Sequence, residues 1–252
     1  MNSAQAAQAA SFHVQICKAK PLFKKFLELP DNVRDRIYWH VLRSDGQLGR
    51  VLTAHGTVGD IKTGRSPFLL PAICFTKKSE LALAGLLYVQ QAKINVCCEW
   101  CSKAMLVFLD RILPSGDLGR HAVITVNYDY YTSNQATNDF SFDTRFLEAC
   151  PEVKHLTITM SVWDIIERLG EGPTGGYRPL TMTEILAKKD FMSITKFKQI
   201  RYVWFRVVRA GVLHGEDVLT GMSDVCKAML QVFHDQGISV YFRLNHRHLS
   251  EP

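Results

Sequence analysis

The chain has 252 residues, of which 47% are hydrophobic and 21% are charged. This balance is typical of a globular protein that buries a sizeable core in one or two domains. The formal charge of +6 is mild and spread along the chain, so an anionic partner is tolerated but neither nucleic acid nor a membrane is required. No stretch approaches the roughly 18 consecutive apolar residues of a membrane span.

The cysteine content indicates a reducing compartment. Seven cysteines are an odd number in a chain too long to need disulfide bonds for stability, and the first 20 residues lack the continuous apolar run of a secretory signal. Both features favour an intracellular protein of the cytoplasm or nucleus. The cysteines stand at positions 17, 74, 97, 98, 101, 150 and 226.

The N-terminal part of the chain predicts a tail and then a helix. Residues 1–20 are rich in Ala, Gln and Ser and are expected to form a flexible tail. An amphipathic helix is predicted within residues 26–42, FLELPDNVRDRIYWHVL, where a proline suits the first helical turn. Its aliphatic residues recur every four positions and form one stripe. The stripe and the residues beside it comprise Leu29, Pro30, Val33, Ile37 and Val41.

A loop and a second helix complete this part. Residues 44–67 contain five glycines and predict a loop with room for one short hairpin. Residues 79–91 predict a helix. We therefore expect residues 21–92 to form one helical segment that contains the loop.

The rest of the chain, residues 93–249, alternates predicted helices and strands. Period-two patterns predict strands, and helical spacing predicts the helices between them. Strands are predicted at 92–96, 121–131, 153–162, 200–208 and 238–244, and helices at 99–113, 143–150 and 223–237. Strands that return through helices become parallel neighbours, so the predicted class is α/β, or α+β, with an irregular sheet and crossover helices. Residues 170–179 are expected to be a flexible insertion.

The first predicted helix also resembles a known motif. Phe26, Leu29, Pro30, Val33, Arg34, Ile37 and Tyr38 reproduce the frame F-x-x-L-P-x-x-[IV]-R-x-x-I-Y. This frame is similar to the opening of the fungal F-box-like proteins known as the two-EXR domain family. The segments LPAICFTKK (70–78) and FLEACPEVKHLTI (146–158) resemble later marks of that family, the second in the manner of leucine-rich repeats. The likeness spans about residues 22–165 and departs from the family at Asn32 and Leu83, where glutamate is usual.

The resemblance implies a protein-interaction module with no enzymatic activity and no cofactor. F-box helices dock on the adaptor subunit of cullin–RING ubiquitin ligases, while the remainder of the chain binds a substrate. Carried onto this sequence, the partner-binding residues are Leu29, Pro30, Val33, Ile37 and Val41. Such a stripe fits a partner's groove, but amphipathic helices mostly pack such a stripe on the protein's own core.

Two other functions remain open from the residues themselves. Cys98-x-x-Cys101 has the spacing of a redox pair or of half a zinc site, and His246 and His248 are candidates for the missing ligands of a metal- or thiol-dependent enzyme. The alternative for Cys101 is packing in an apolar helix face. Tyr202, Trp204 and Arg206 mix aromatic and basic groups, as nucleic-acid-binding surfaces do. They also fit an ordinary strand with one half-exposed face. No nucleophile elbow, P-loop or other catalytic motif occurs.

Overall fold

The structure is a computed structural model that describes residues 26–44, 51–53, 78–112, 118–130, 144–169, 176–208, 216–245 and 247–249. Helices and strands alternate through most of these ranges. The α-helices are α1 (Asp31–Ser44), α2 (Lys78–Gln91), α3 (Glu99–Ile112), α4 (Leu118–His121), α5 (Arg145–Ala149), α6 (Met182–Lys188) and α7 (Thr220–Asp235). The strands are β1 (Val51–Thr53), β2 (Lys93–Val96), β3 (Thr125–Asp129), β4 (His155–Ser161), β5 (Ile166–Leu169), β6 (Gly176–Pro179), β7 (Tyr202–Val208), β8 (Tyr241–Leu244) and β9 (Arg247–Leu249).

Seven of the described strands form one mostly parallel sheet. Its order is β1-β2-β3-β4-β7-β8-β9, and every neighbouring pair is parallel except β8 with β9. The parallel strands therefore follow one another in chain order. When each right-handed crossover leads to the next strand in the same direction across a sheet, the crossover helices all lie on the same side of that sheet. The α/β class predicted from the sequence is confirmed.

The strands bury one face and leave the other polar. On β7, Val203, Phe205 and Val207 are buried, while Tyr202, Trp204, Arg206 and Val208 between them are half-buried or exposed. The same alternation runs through β3 and β8. The buried strand residues join helix residues such as Met105, Leu109 and Phe233 in one core. All five predicted strands are confirmed to within a few residues.

Helix α1 packs on α2 through its aromatic side rather than through its aliphatic stripe. Tyr38 is fully buried together with Ala84, and Phe26, Leu83 and Leu87 lie against this pair. The rings of Phe26 and Tyr38 meet edge to face with centroids 5.4 Å apart. Aromatic contacts of this kind add to the energy of burial. Residues 1–20, the family-like segment over 70–77 and His246 lie outside the described residues.

Two segments predicted as loops contain strands. Residues Val51–Thr53, inside the predicted loop 44–67, form β1 and pair in parallel with β2. The sheet therefore begins before the predicted boundary at residue 93. The prediction of a flexible insertion over 170–179 is wrong for its last four residues, because Gly176–Pro179 forms β6 in an antiparallel pair with β5. Both strands are short, and neither shows a period-two pattern that would have identified it.

Charged groups stabilise this second sheet. The Arg178 guanidinium on β6 pairs with Glu167 on β5, and its Nη2 lies 2.6 Å from Glu184 Oε1 on α6. Glu184 also accepts a hydrogen bond from the backbone N–H of Thr181 at 2.8 Å, which caps α6. Arg178 and this cap together lower the pKa of Glu184 to about 2. The Arg178–Glu184 ion pair thereby connects strand β6, at the end of the predicted insertion, to helix α6.

Close backbone approach explains two buried glycines. A Cβ added at Gly221 in α7 would stand 1.9 Å from the Leu180 carbonyl oxygen, and one at Gly119 in α4 would stand 2.2 Å from the Leu109 carbonyl oxygen. Gly237 follows α7 with a φ of 71°, as expected of a glycine that terminates a helix. Among the described helices, none combines the length and apolar character needed to cross a membrane.

Candidate functional site

Three features of the described residues could carry function. The first, which we name the docking ridge, consists of Leu29, Pro30, Val33, Ile37 and Val41. None of the five is buried: Pro30 and Val33 are exposed, Val33 to 37%, and the other three are half-buried. Ile37 comes one residue before the buried Tyr38, and adjacent helix residues point about 100° apart. The ridge therefore lies to one side of the contact between α1 and α2.

Other contacts fix the surface of α1 around the ridge. Arg34 pairs with Asp31 in the first turn. In the last turn the Arg43 guanidinium lies 4.9 Å from the centre of the Trp39 ring. Asp31 stands at the positive end of the helix and Arg43 at its negative end, where each charge is favourable. Helix α1 is thus held by Tyr38 and by favourable charges at its ends, while Pro30 and Val33 of the ridge stay exposed.

The second feature is the polar face of the parallel sheet. Register places its side chains in rows that cross the strands. We define the polar face by its first two rows, Lys93-Thr125-His155-Tyr202-Tyr241 and Asn95-Asn127-Thr157-Trp204-Arg243. Tyr241 is 73% exposed, and Lys93 and His155 are also exposed. A parallel sheet usually has helices on both faces. Because these side chains are nevertheless exposed, they are available for contact with another molecule.

Hydrogen bonds order one half of the polar face. Asn127 Nδ2 donates to Asn95 Oδ1 at 2.6 Å, and Thr159 Oγ1 donates to Asn127 Oδ1 at 3.2 Å. This chain of bonds spans β2, β3 and β4 and gives partners to two largely buried side chains, Asn95 in the second row and Thr159 in the row beyond it. Buried polar groups with partners of this kind fix a single arrangement.

Aromatic and basic side chains order the other half. The Arg243 guanidinium lies 4.9 Å from the centre of the Trp204 ring. Trp204 Nε1 donates to the Asn245 carbonyl oxygen at 2.9 Å, so its ring is held in place. The rings of His155 and Tyr202 are 6.1 Å apart. This half of the face thus presents pre-ordered aromatic groups, which lose little freedom when a partner binds.

The third feature, the cysteine cluster, consists of Cys97, Cys98 and Cys101. Cys97 and Cys98 follow the carboxyl end of β2, and Cys101 lies in the first turn of α3. The Cys101 sulfur is 3.0 Å from the Cys97 sulfur and 3.2 Å from the Cys98 sulfur. All three sulfurs lie within 4.8 Å of one another. A tight turn from strand to helix therefore brings three thiols to one point.

The three thiols do not have the same acidity. The hydrogen bond between the Cys97 and Cys101 thiols lowers the pKa of Cys97, while that bond and burial raise the pKa of Cys101. Burial raises the pKa of Cys98, although its sulfur accepts the backbone N–H of Cys101 at 3.4 Å. By contrast, burial is the main cause that raises the pKa of Cys150 to about 12, and that thiol stays protonated at neutral pH.

The sequence identified this cluster only in part. It singled out Cys98 and Cys101 by their spacing but gave Cys97 no role, although the adjacent pair in VCCEWC was the available signal. It proposed His248 as a distant ligand, yet β9 is separated from β2 by the four strands between them in the sheet. Neighbouring strands are about 4.8 Å apart, so His248 lies far from the cluster. The suggested ligation by His248 is therefore wrong.

No protein-family model, curated protein or solved structure matches this chain. The likeness to two-EXR proteins rests on the residues of the sequence given above.

Proposed function

We propose that this protein is a non-enzymatic recognition module, and specifically an F-box-like substrate adaptor of a cullin–RING ubiquitin ligase. The docking ridge on α1 binds the ligase adaptor subunit. The observation that carries the proposal is that α1 is anchored through Tyr38, which is fully buried, while Val33 on the same helix stays exposed. The helix therefore folds onto its own domain while part of its aliphatic stripe stays accessible.

The chemistry of the ridge suits a partner's groove. Val33, Ile37 and Val41 succeed one another at one helical turn each, the arrangement by which a helix fills an apolar groove. A fully buried aliphatic side chain contributes about 1.5–3 kcal/mol, so a half-buried one has roughly 1 kcal/mol left to gain when a partner covers it. Pro30 extends the apolar surface at the start of α1.

The polar face supplies a second surface, which we assign to the substrate. Its exposed or half-buried members include Tyr202, Trp204, Tyr241 and Arg243, residue types that dominate binding energy in protein interfaces. Parallel strands in chain order, with one face left accessible, also support the likeness to leucine-rich repeats, since repeat proteins bind partners on such extended surfaces. Two separate surfaces are what an adaptor needs.

The proposal is tested by affinity capture of the tagged full chain from cells in which it is expressed. We expect the ligase adaptor subunit and its cullin to be recovered together in amounts comparable to the bait. Purified adaptor subunit alone should also bind purified chain in size-exclusion chromatography. Failure of the purified pair to associate would contradict the ligase assignment, whatever else the capture recovers.

A further inference from the structure

The cysteine cluster differs from the other described cysteines in its surroundings. Cys150 and Cys226 are buried within the hydrophobic core, where a thiol behaves as a small apolar group. Cys101 is buried in the same core, whereas Cys97 and Cys98 are only partly buried where they pack against it, and both of their sulfurs face that of Cys101. Apolar packing accounts for the burial of Cys101, but it does not require three sulfurs to lie within 4.8 Å of one another. Three converging sulfurs are the arrangement that a thiolate-bound metal ion requires.

The spacing of the three sulfurs fits one small metal ion. Zinc–sulfur bonds of about 2.3 Å place sulfurs roughly 3.8 Å apart around a tetrahedral centre. In the cluster two sulfur–sulfur distances are 3.0 and 3.2 Å, and no separation exceeds 4.8 Å. Shifts of less than about 1 Å therefore bring all three into bonding distance. Thiolates are soft ligands that select zinc and monovalent copper over magnesium or calcium.

We propose that Cys97, Cys98 and Cys101 together bind one thiophilic d10 metal ion, Zn²⁺ or Cu⁺, as three thiolates. Each sulfur that is protonated beforehand releases its proton to solvent as its bond to the metal forms. No histidine, aspartate or glutamate among the described residues joins the three sulfurs. A zinc ion would therefore take its fourth ligand from outside this set, whereas Cu⁺ is satisfied by three.

The surroundings favour the negative charge that three thiolates carry. The cluster stands at the amino end of α3, whose free N–H groups and dipole favour anions. Glu99 in the same turn is neutralised by Lys103, 2.8 Å away, and by Arg145 at 3.0 Å. Lys103, Arg145 and Glu99 together carry a net charge of +1 beside the cluster. The site is independent of the docking ridge, so the two proposals can fail separately.

The test uses the full chain, reduced with a phosphine and purified without chelators. The protein is loaded with equimolar Zn²⁺ or, without oxygen, with Cu⁺, then desalted and analysed for metal content. We expect one equivalent of one of these ions per chain, and the arm that retains metal identifies the ion. Bound metal should also protect Cys97, Cys98 and Cys101 from alkylation of the native protein.

Variants decide whether the cluster is responsible. Cys97→Ser and Cys98→Ser change partly buried positions. Each should weaken metal affinity, measured in competition with a chromogenic chelator, by more than about 10-fold. Substitution of residues that only support the ligands already causes a loss of about that size. Cys226→Ala, which removes a thiol elsewhere, and Ile37→Asp on the ridge should retain the metal. The proposal would be overturned if the unmodified chain kept neither ion. It would also be overturned if both serine variants retained as much metal as the unmodified chain. Conversion of the cluster to a disulfide in place of metal retention would also overturn it.

Discussion

Ile37→Asp is expected to abolish binding of the ligase adaptor subunit while leaving the protein folded. Ile37 is the central residue of the docking ridge and is half-buried. In the complex the new carboxylate would have to enter an apolar groove, where an unpaired charge costs several kcal/mol. A loss of about 2.7 kcal/mol already weakens binding roughly 100-fold. In the free protein the carboxylate can turn toward water, so we expect a stability loss of about 1 kcal/mol.

Asn32→Asp is the matched control for this prediction. It places the same new charge on the same helix, five residues away and about 140° around the helix axis. Asn32 is exposed, and a carboxylate in the first turn of a helix is favourable. This variant should bind the adaptor subunit as the unmodified chain does, measured by titration of the purified proteins. Equal binding by the two variants would remove the ridge from the interface.

Gly221→Ala is expected to produce a large stability loss for a substitution that adds a single methyl group. The added Cβ would stand 1.9 Å from the Leu180 carbonyl oxygen and 3.2 Å from the Ile185 side chain. The atom that the new Cβ would meet at Leu180 belongs to the backbone, which cannot rotate away as a side chain can, so α7 itself has to shift. Overpacking of this kind costs about 1–3 kcal/mol or more, and the better helix propensity of alanine offsets only about 1 kcal/mol. We expect a net loss of about 2 kcal/mol and a melting temperature lower by roughly 4–8 °C.

Gly176→Ala provides the comparison. Gly176 is exposed on β6, and a Cβ there would meet no atom within 4 Å. Thermal unfolding followed by circular dichroism should place this variant at or slightly above the unmodified chain. A Gly221→Ala protein as stable as the Gly176→Ala protein would show that α7 does not approach Leu180 as closely as described.

The sequence predicted those parts of the fold in which burial imposes a regular period. Strands β3, β4 and β7 alternate apolar and polar residues because one face is covered and the other is not. Helices α3 and α7 show the corresponding helical spacing. β1 and β6 escaped prediction because three or four residues in a glycine-rich context carry too little pattern. Their place is set by pairing with β2 and β5, which local sequence does not encode.

The candidate site was predictable to a similar degree. Helical periodicity alone places Val33, Ile37 and Val41 on one stripe. It does not indicate which side of α1 the domain covers, because that depends on Tyr38 meeting Ala84 on another helix. The polar face requires knowledge of strand order, which brings Tyr202 beside Tyr241 across 39 positions of sequence. Cysteine convergence likewise depends on the turn between β2 and α3.

The central claim is that another polypeptide contacts the docking ridge, and site-specific photo-crosslinking in cells tests it most directly. A photo-reactive phenylalanine derivative replaces Val33, which is exposed on the ridge, or Asn32, which is exposed about 100° around α1. We predict a covalent product with the ligase adaptor subunit from position 33 and none from position 32. No adaptor product from position 33, or equal products from both positions, would contradict the claim.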